Sequence, residues 1–93
     1  MNGSTAPIDT AEQARQDLLA ELNNQQADWI EQSQPGSFGC HELLDRTAML
    51  GKLVNELLLE HPACVQNKEW FTLAHQASTL LDQLYQKIGA KHL

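Results

Sequence analysis

Apolar residues recur along this chain at three- and four-residue intervals, and those intervals divide it into three helical stretches separated by two breaks. From residue 9 to about 32, Ala11, Ala14, Leu18, Leu19, Leu22, Trp29 and Ile30 fall on one side when successive residues are set roughly 100° apart. Asn23 to Gln26 contribute no apolar residue but also no breaker, so a single continuous helix is expected there. Asp9, with Glu12 three residues on, reads as its N-cap in an arrangement resembling a capping box.

The second stretch, about 40 to 61, places Leu43, Leu44, Thr47, Leu50, Gly51, Leu53, Val54, Leu57 and Leu58 over an arc of about 180°. So wide an arc predicts contact with at least two neighbouring helices, with Gly51 as a point of close approach. Pro62 ends it, because proline disfavours helical geometry in the residue before it. The third stretch, about 67 to 88, starts from Asn67 as N-cap and carries Trp70, Phe71, Leu73, Ala74, Ala77, Leu80, Leu81, Leu84, Tyr85 and Ile88 over a similar arc. Gly89 is expected to stop it.

Between the first two stretches "SQPGSFG", residues 33 to 39, is a loop by its Pro-Gly pair, with Phe38 expected to plug the end of the core. Residues 1 to 8 read as a mobile tail and 91 to 93 as a frayed one. The pattern predicts an all-α fold: one domain over 9 to 90, a small three-helix bundle built on an antiparallel helical hairpin. Two such hairpins from two copies would bury their wide arcs as a four-helix core, and a homodimer is the favoured assembly over a different protein partner.

Size and composition sharpen this picture. A chain of 93 residues buries only about 60 to 65% of the surface its unfolded form exposes, so the core is thin. Aromatic residues make up 5% of it, which leaves leucine to supply most of the buried area. The formal charge is -6, and residues 1 to 39 hold Asp9, Glu12, Asp17, Glu21, Asp28 and Glu31 against Arg15 alone. Nucleic-acid binding draws on clustered Lys and Arg, so no nucleic-acid partner is expected. The chain shows neither a charged-then-apolar leader nor an apolar run approaching the ~20 residues that span a bilayer. A cytosolic protein with no membrane partner and two free thiols is the expectation.

Six residues could ligate a metal: Cys40, His41, His61, Cys64, His75 and His92. Cys40 and His41 open the second helix while His61 and Cys64 close it, about 30 Å apart at 1.5 Å per residue. Zinc ligands converge within about 2.3 Å of one ion, so no metal site and no cofactor are expected. A thiol at a helix N-terminus is activated, yet His41 adjoins Cys40 in sequence and points away from it, and no oxyanion loop is apparent. The chain is read as non-catalytic.

The stretch "GCHELLDRTAML", residues 39 to 50, remains. Glu42 and Asp45 in a first turn stabilise the positive end of the helix dipole. Ser37 or Gly39 begins the turn, Leu43 and Leu44 enter the core, and Arg46 pairs with Glu42 as Lys52 does with Glu56. His41, with Asp45 one turn away, is left without a structural role. "HEL" followed by an Arg-Thr pair resembles the phosphoacceptor box of the histidine-kinase dimerisation domain. That resemblance implies His41 as acceptor, Glu42 as base and Arg46 as charge partner on a dimeric hairpin. In that family Arg-Thr-Pro follows "HEL" directly, whereas here Leu44 and Asp45 intervene and Ala48 replaces the proline.

The functional expectation is therefore a small interaction module that presents a helix face. Its surface is expected to draw on Trp29, Leu53, Leu57, Trp70 and Phe71, with a phosphorelay through His41 as the alternative.

Overall fold

In a computed structural model of the chain, residues 7–25 and 28–92 are described, with side chains from Thr10 onward. The described residues are helical or in short connections, with no strand among them, so the protein is all-α. The helices are α1 (Pro7–Gln25), α2 (Trp29–Ser33), α3 (Phe38–Leu53), α4 (Pro62–Val65) and α5 (Lys68–His92); a π-helical turn, Val54–Leu59, continues α3. The chain divides into two compact units, Met1–Glu31 and Gln32–Leu93.

In the first unit, α1 begins at Pro7, earlier than the Asp9 cap expected from the sequence. Proline is preorganised for a first helical position, where its missing N–H costs nothing. Glu12, rather than reaching back to a cap, takes two bonds from Arg15 at 2.8 and 2.7 Å and one from the Gln16 amide at 2.8 Å. Those bonds, Arg15 first, hold its carboxyl down to about 2. The structure shows two helical segments where a single helix to about residue 32 was expected. The junction includes residues 26 and 27, which lie outside the described residues, and Asp28 forms a bend. Trp29 is half-buried, its indole N–H donating to Asn23 Oδ1 at 3.0 Å.

The second unit holds the packing that matters here. Ser37 caps α3, its Oγ accepting from the Cys40 N–H at 3.2 Å. Asn67 opens α5, its Oδ1 accepting from the Trp70 N–H at 3.0 Å. Between them, His61 is an unanticipated cap: its Nδ1 accepts from the Ala63 N–H at 3.1 Å and starts the single turn of α4 at Pro62. Gly89 does not end α5, which runs on to His92. The last turn is held from outside, by His92, whose ring accepts from the Gly36 N–H just before α3 and meets His41 in its first turn.

α3 packs along α5 in opposite order: His41 meets His92 near one end and Asn55 meets Ser78 towards the other. Leu44 lies over Gly89, where a Cβ would sit 4.0 Å from Leu44 Cδ1. The residues withdrawn from solvent along α3 and its two ends include Ser37, Cys40, Leu44, Thr47, Gly51 and Val54. On α5 they include Phe71, Ala74, Ser78, Leu81 and Ile88. Each set advances by alternating steps of three, four and seven, the spacing of a coiled-coil seam.

The seam is lined mainly by small residues, and only Leu44 (5% exposed) and Thr47 (3%) are buried among the described residues. The Thr47 hydroxyl is satisfied by donating to the Leu43 carbonyl at 2.8 Å. The π turn alters the seam beyond Val54. The Glu60 N–H reaches the Asn55 carbonyl at 3.1 Å, five residues back, and this extra residue makes Leu59, not Leu58, the next withdrawn position. Two expectations fail at this seam: Phe38 is 83% exposed and plugs nothing, and Gly51 has open space where a Cβ would stand.

Candidate functional site

Because a narrow seam of small residues joins α3 and α5, most of each wide apolar arc is left facing solvent. On α3 and its π turn the exposed residues include Leu43, Leu50, Leu53 and Leu57; on α5 they include Trp70, Leu73, Leu80 and Leu84. At roughly 100° per residue each set lies on the same rotational side of its own seam. For two helices running in opposite order, that puts both sets on one face of the pair.

The other face is polar, with His41, Asp45 and Lys52 from α3 and His75, Asp82 and Gln86 from α5. There Ser78 donates to Asn55 Oδ1 at 3.1 Å beside a groove lined by Thr47, Ala48, Gly51 and Tyr85. The apolar face ends in a shallow depression at the α4 end, formed by Leu57, Leu58, His61, Ala63, Cys64, Trp70, Leu73 and Ala74.

Of the residues expected to form an interaction surface, Leu53, Leu57 and Trp70 are exposed and share this face. Phe71 does not; it turns into the seam and stacks on His75 with ring centroids 6.2 Å apart. Trp29 belongs to the other compact unit. Leu43, expected in the core, is half exposed and extends the face, as do Leu50, Leu73, Leu80 and Leu84. These residues were visible as periodic positions, but periodicity alone does not tell which side of a wide arc is covered.

The second candidate cluster is built around His41. Glu42 and Arg46 pair at 3.3 Å in the favourable order for a helix surface, acid before base, and Lys52 and Glu56 lie 4.0 Å apart in the reverse order, all four exposed. His41 Nε2 stands 3.4 Å from Asp45 Oδ2. Its other nitrogen faces a residue that the sequence did not suggest: His92 Nε2 lies 3.4 Å from His41 Nδ1, with the rings tilted at 5.4 Å between centroids. His92 Nδ1 in turn accepts from the Gly36 N–H at 2.8 Å.

Since Gly36 occupies that acceptor, a neutral His92 carries its proton on Nε2 and donates to His41, whose own proton then faces Asp45. A line of polar contacts thus runs from the 34–37 turn through both imidazoles to a carboxylate. His41 therefore has a structural role after all, tying the start of α3 to the end of α5.

This arrangement predicts the behaviour of one amide. His92→Phe keeps a ring at the position but removes both nitrogens. A net hydrogen bond of about 0.5–1.5 kcal/mol corresponds to a roughly two- to tenfold faster exchange of the Gly36 N–H. Amide exchange followed by NMR measures it, and an unchanged Gly36 rate would show that the bond does not form.

Cys40 and Cys64 are both free thiols, half-buried near opposite ends of α3 and its continuation. Among the described residues no group of three or more His, Cys, Asp or Glu side chains is placed to hold a metal ion. No helix among them is long and apolar enough to cross a membrane. Comparison with protein-family models, curated proteins and solved structures yields no match to this chain.

Proposed function

We propose that this chain is a helical protein–protein interaction module without catalytic activity, working through the apolar face of α3 and α5. Its architecture in this reading is a three-helix bundle built on an antiparallel helical hairpin. A cytosolic setting suits its free thiols. The observation that carries the proposal is the exposure of Leu50 (52%), Trp70 (56%), Leu73 (60%) and Leu80 (63%) side by side on one face. Contiguous apolar surface of this kind marks an interaction site, whereas single exposed leucines do not.

The test is capture of binding proteins by the immobilised chain and by its Leu73→Glu variant, with circular dichroism confirming that the variant is helical. Proteins retained by the wild type should be lost from the variant. Retention unaffected by the charge would remove the face from the function.

A phosphorelay through His41 is the second reading, favoured by the exposed imidazole with Asp45 one turn away. Both ring nitrogens already face partners, which weighs against an acceptor waiting to react. Acid-labile phosphate on the wild type that disappears in His41→Gln would decide for this reading.

A further inference from the structure

We infer that the occupant of the apolar face is a second copy of this chain, set face to face around a two-fold axis close to Ala77. The inference rests on the interaction reading above and names its partner. Three observations support it.

The first is extent. The face runs along α3 with its π turn and along α5, roughly 30 Å by 20 Å for two packed helices. Two copies would together bury about 1,200 Å², the lower end of what stable interfaces use.

The second is charge. Residues 32 to 93 carry Glu42, Asp45, Glu56, Glu60, Glu69 and Asp82 against Arg46, Lys52, Lys68, Lys87 and Lys91, so this unit is nearly neutral and two copies do not repel. The acidic excess of the chain lies in residues 1 to 31.

The third is symmetry. A two-fold interface requires that where residue i of one copy meets j of the other, j also meets i. The α5 stripe satisfies this about Ala77: Trp70 and Leu84 stand seven residues to either side, and Leu73 and Leu80 stand four and three. An antiparallel pairing then sets Trp70 over Leu84 and Leu73 beside Leu80. The small Ala77 side chain at the crossing lets the helices approach. The same pairing brings Lys87 of one copy within about a turn of Glu69 of the other.

The experiment is sedimentation of the full chain from about 1 to 100 μM, the range in which modest interfaces dissociate. It is run on the wild type, Leu80→Glu and Met49→Glu, the last an exposed position away from the face. Twice the chain mass is expected for the wild type and for Met49→Glu, and the chain mass for Leu80→Glu with its helical circular dichroism retained. Should Leu80→Glu not fold, Ala77→Cys in a Cys40→Ala, Cys64→Ala background supplies the readout, with rapid oxidation to a disulfide-linked pair expected.

A wild type at the chain mass throughout, or Ala77→Cys chains that do not cross-link, would overturn the proposal. Acrylamide quenching of Trp70 in a Trp29→Phe background separates the two levels of the reading. A monomer with accessible Trp70 removes the second copy but leaves a face for another protein. A monomer with shielded Trp70 means that the chain covers its own face, and the module reading fails with it.

Discussion

Leu44→Ala is expected to lower stability by about 2–3 kcal/mol, within the usual range for removing a buried leucine. The effect is large relative to its cause because the seam has so little else to lose. Leu44 is the only buried apolar side chain among the described residues, and its methyl lies over Gly89, close to where His92 ties the end of α5 to α3. A small domain with a thin core sits towards the lower end of the usual 5–15 kcal/mol, so this one change removes a substantial share of it. Urea denaturation at matched protein concentration gives the measurement, with Met49→Ala as the comparison. Met49 is 60% exposed, and its truncation should cost less than about 0.5 kcal/mol. Equal losses at the two positions would mean that the α3–α5 seam is not where the stability resides.

Two glycines of α3 are expected to respond to alanine with opposite sign. Helix propensity alone favours alanine over glycine by about 1 kcal/mol at either position. At Gly51 nothing stands within 4 Å of the added methyl, so Gly51→Ala should stabilise by about 0.5–1 kcal/mol. At Gly39 the methyl would run into the main-chain carbonyl of Gln32, which cannot swing aside as a flexible side chain would. Overpacking of this kind costs about 1–3 kcal/mol and outweighs the propensity gain. Thermal unfolding of the two variants tests the pair. A stabilised Gly39→Ala would show that the end of α2 does not pack on the first turn of α3.

The contrast between these glycines shows what sequence reading could and could not reach. Gly51, in the middle of an apolar arc, was the natural candidate for a close approach, and Gly39 was read only as the last residue of a loop or the start of the next turn. In the structure Gly39 lies in the first turn of α3 against the backbone of Gln32, while Gly51 faces open space. Close approach depends on where another segment returns, and no local pattern encodes that.

His41 makes the same point for the candidate site. Its pairing with Asp45 follows from helical spacing and was legible one turn away. Its pairing with His92, 51 residues further along, depends on α5 continuing past Gly89. A glycine near the end of an apolar pattern ordinarily reads as a stop, and here contacts made by the last turn outweigh that preference. Phe38 erred in the other direction: a lone aromatic in a loop suggested a plug, but the seam beneath it is narrow and filled by small side chains.

What the amino-acid sequence determined by itself is whatever depends on neighbours within about one helical turn. That covers the all-α class, the break at Pro62, the cap at Asn67, the ion pairs along the outside of α3, and the positions of the leucines. Tertiary structure decided which strip of each 180° arc is covered. The choice fell on the strip that runs through Leu44 and Thr47 on α3 and Ala74, Ser78 and Leu81 on α5, and a two-helix seam is narrower than the arc. The leucines beside it were thereby left exposed, and the π turn set how the face continues towards Trp70. The face proposed to bind is the part of the hydrophobic pattern that this seam had no width to bury.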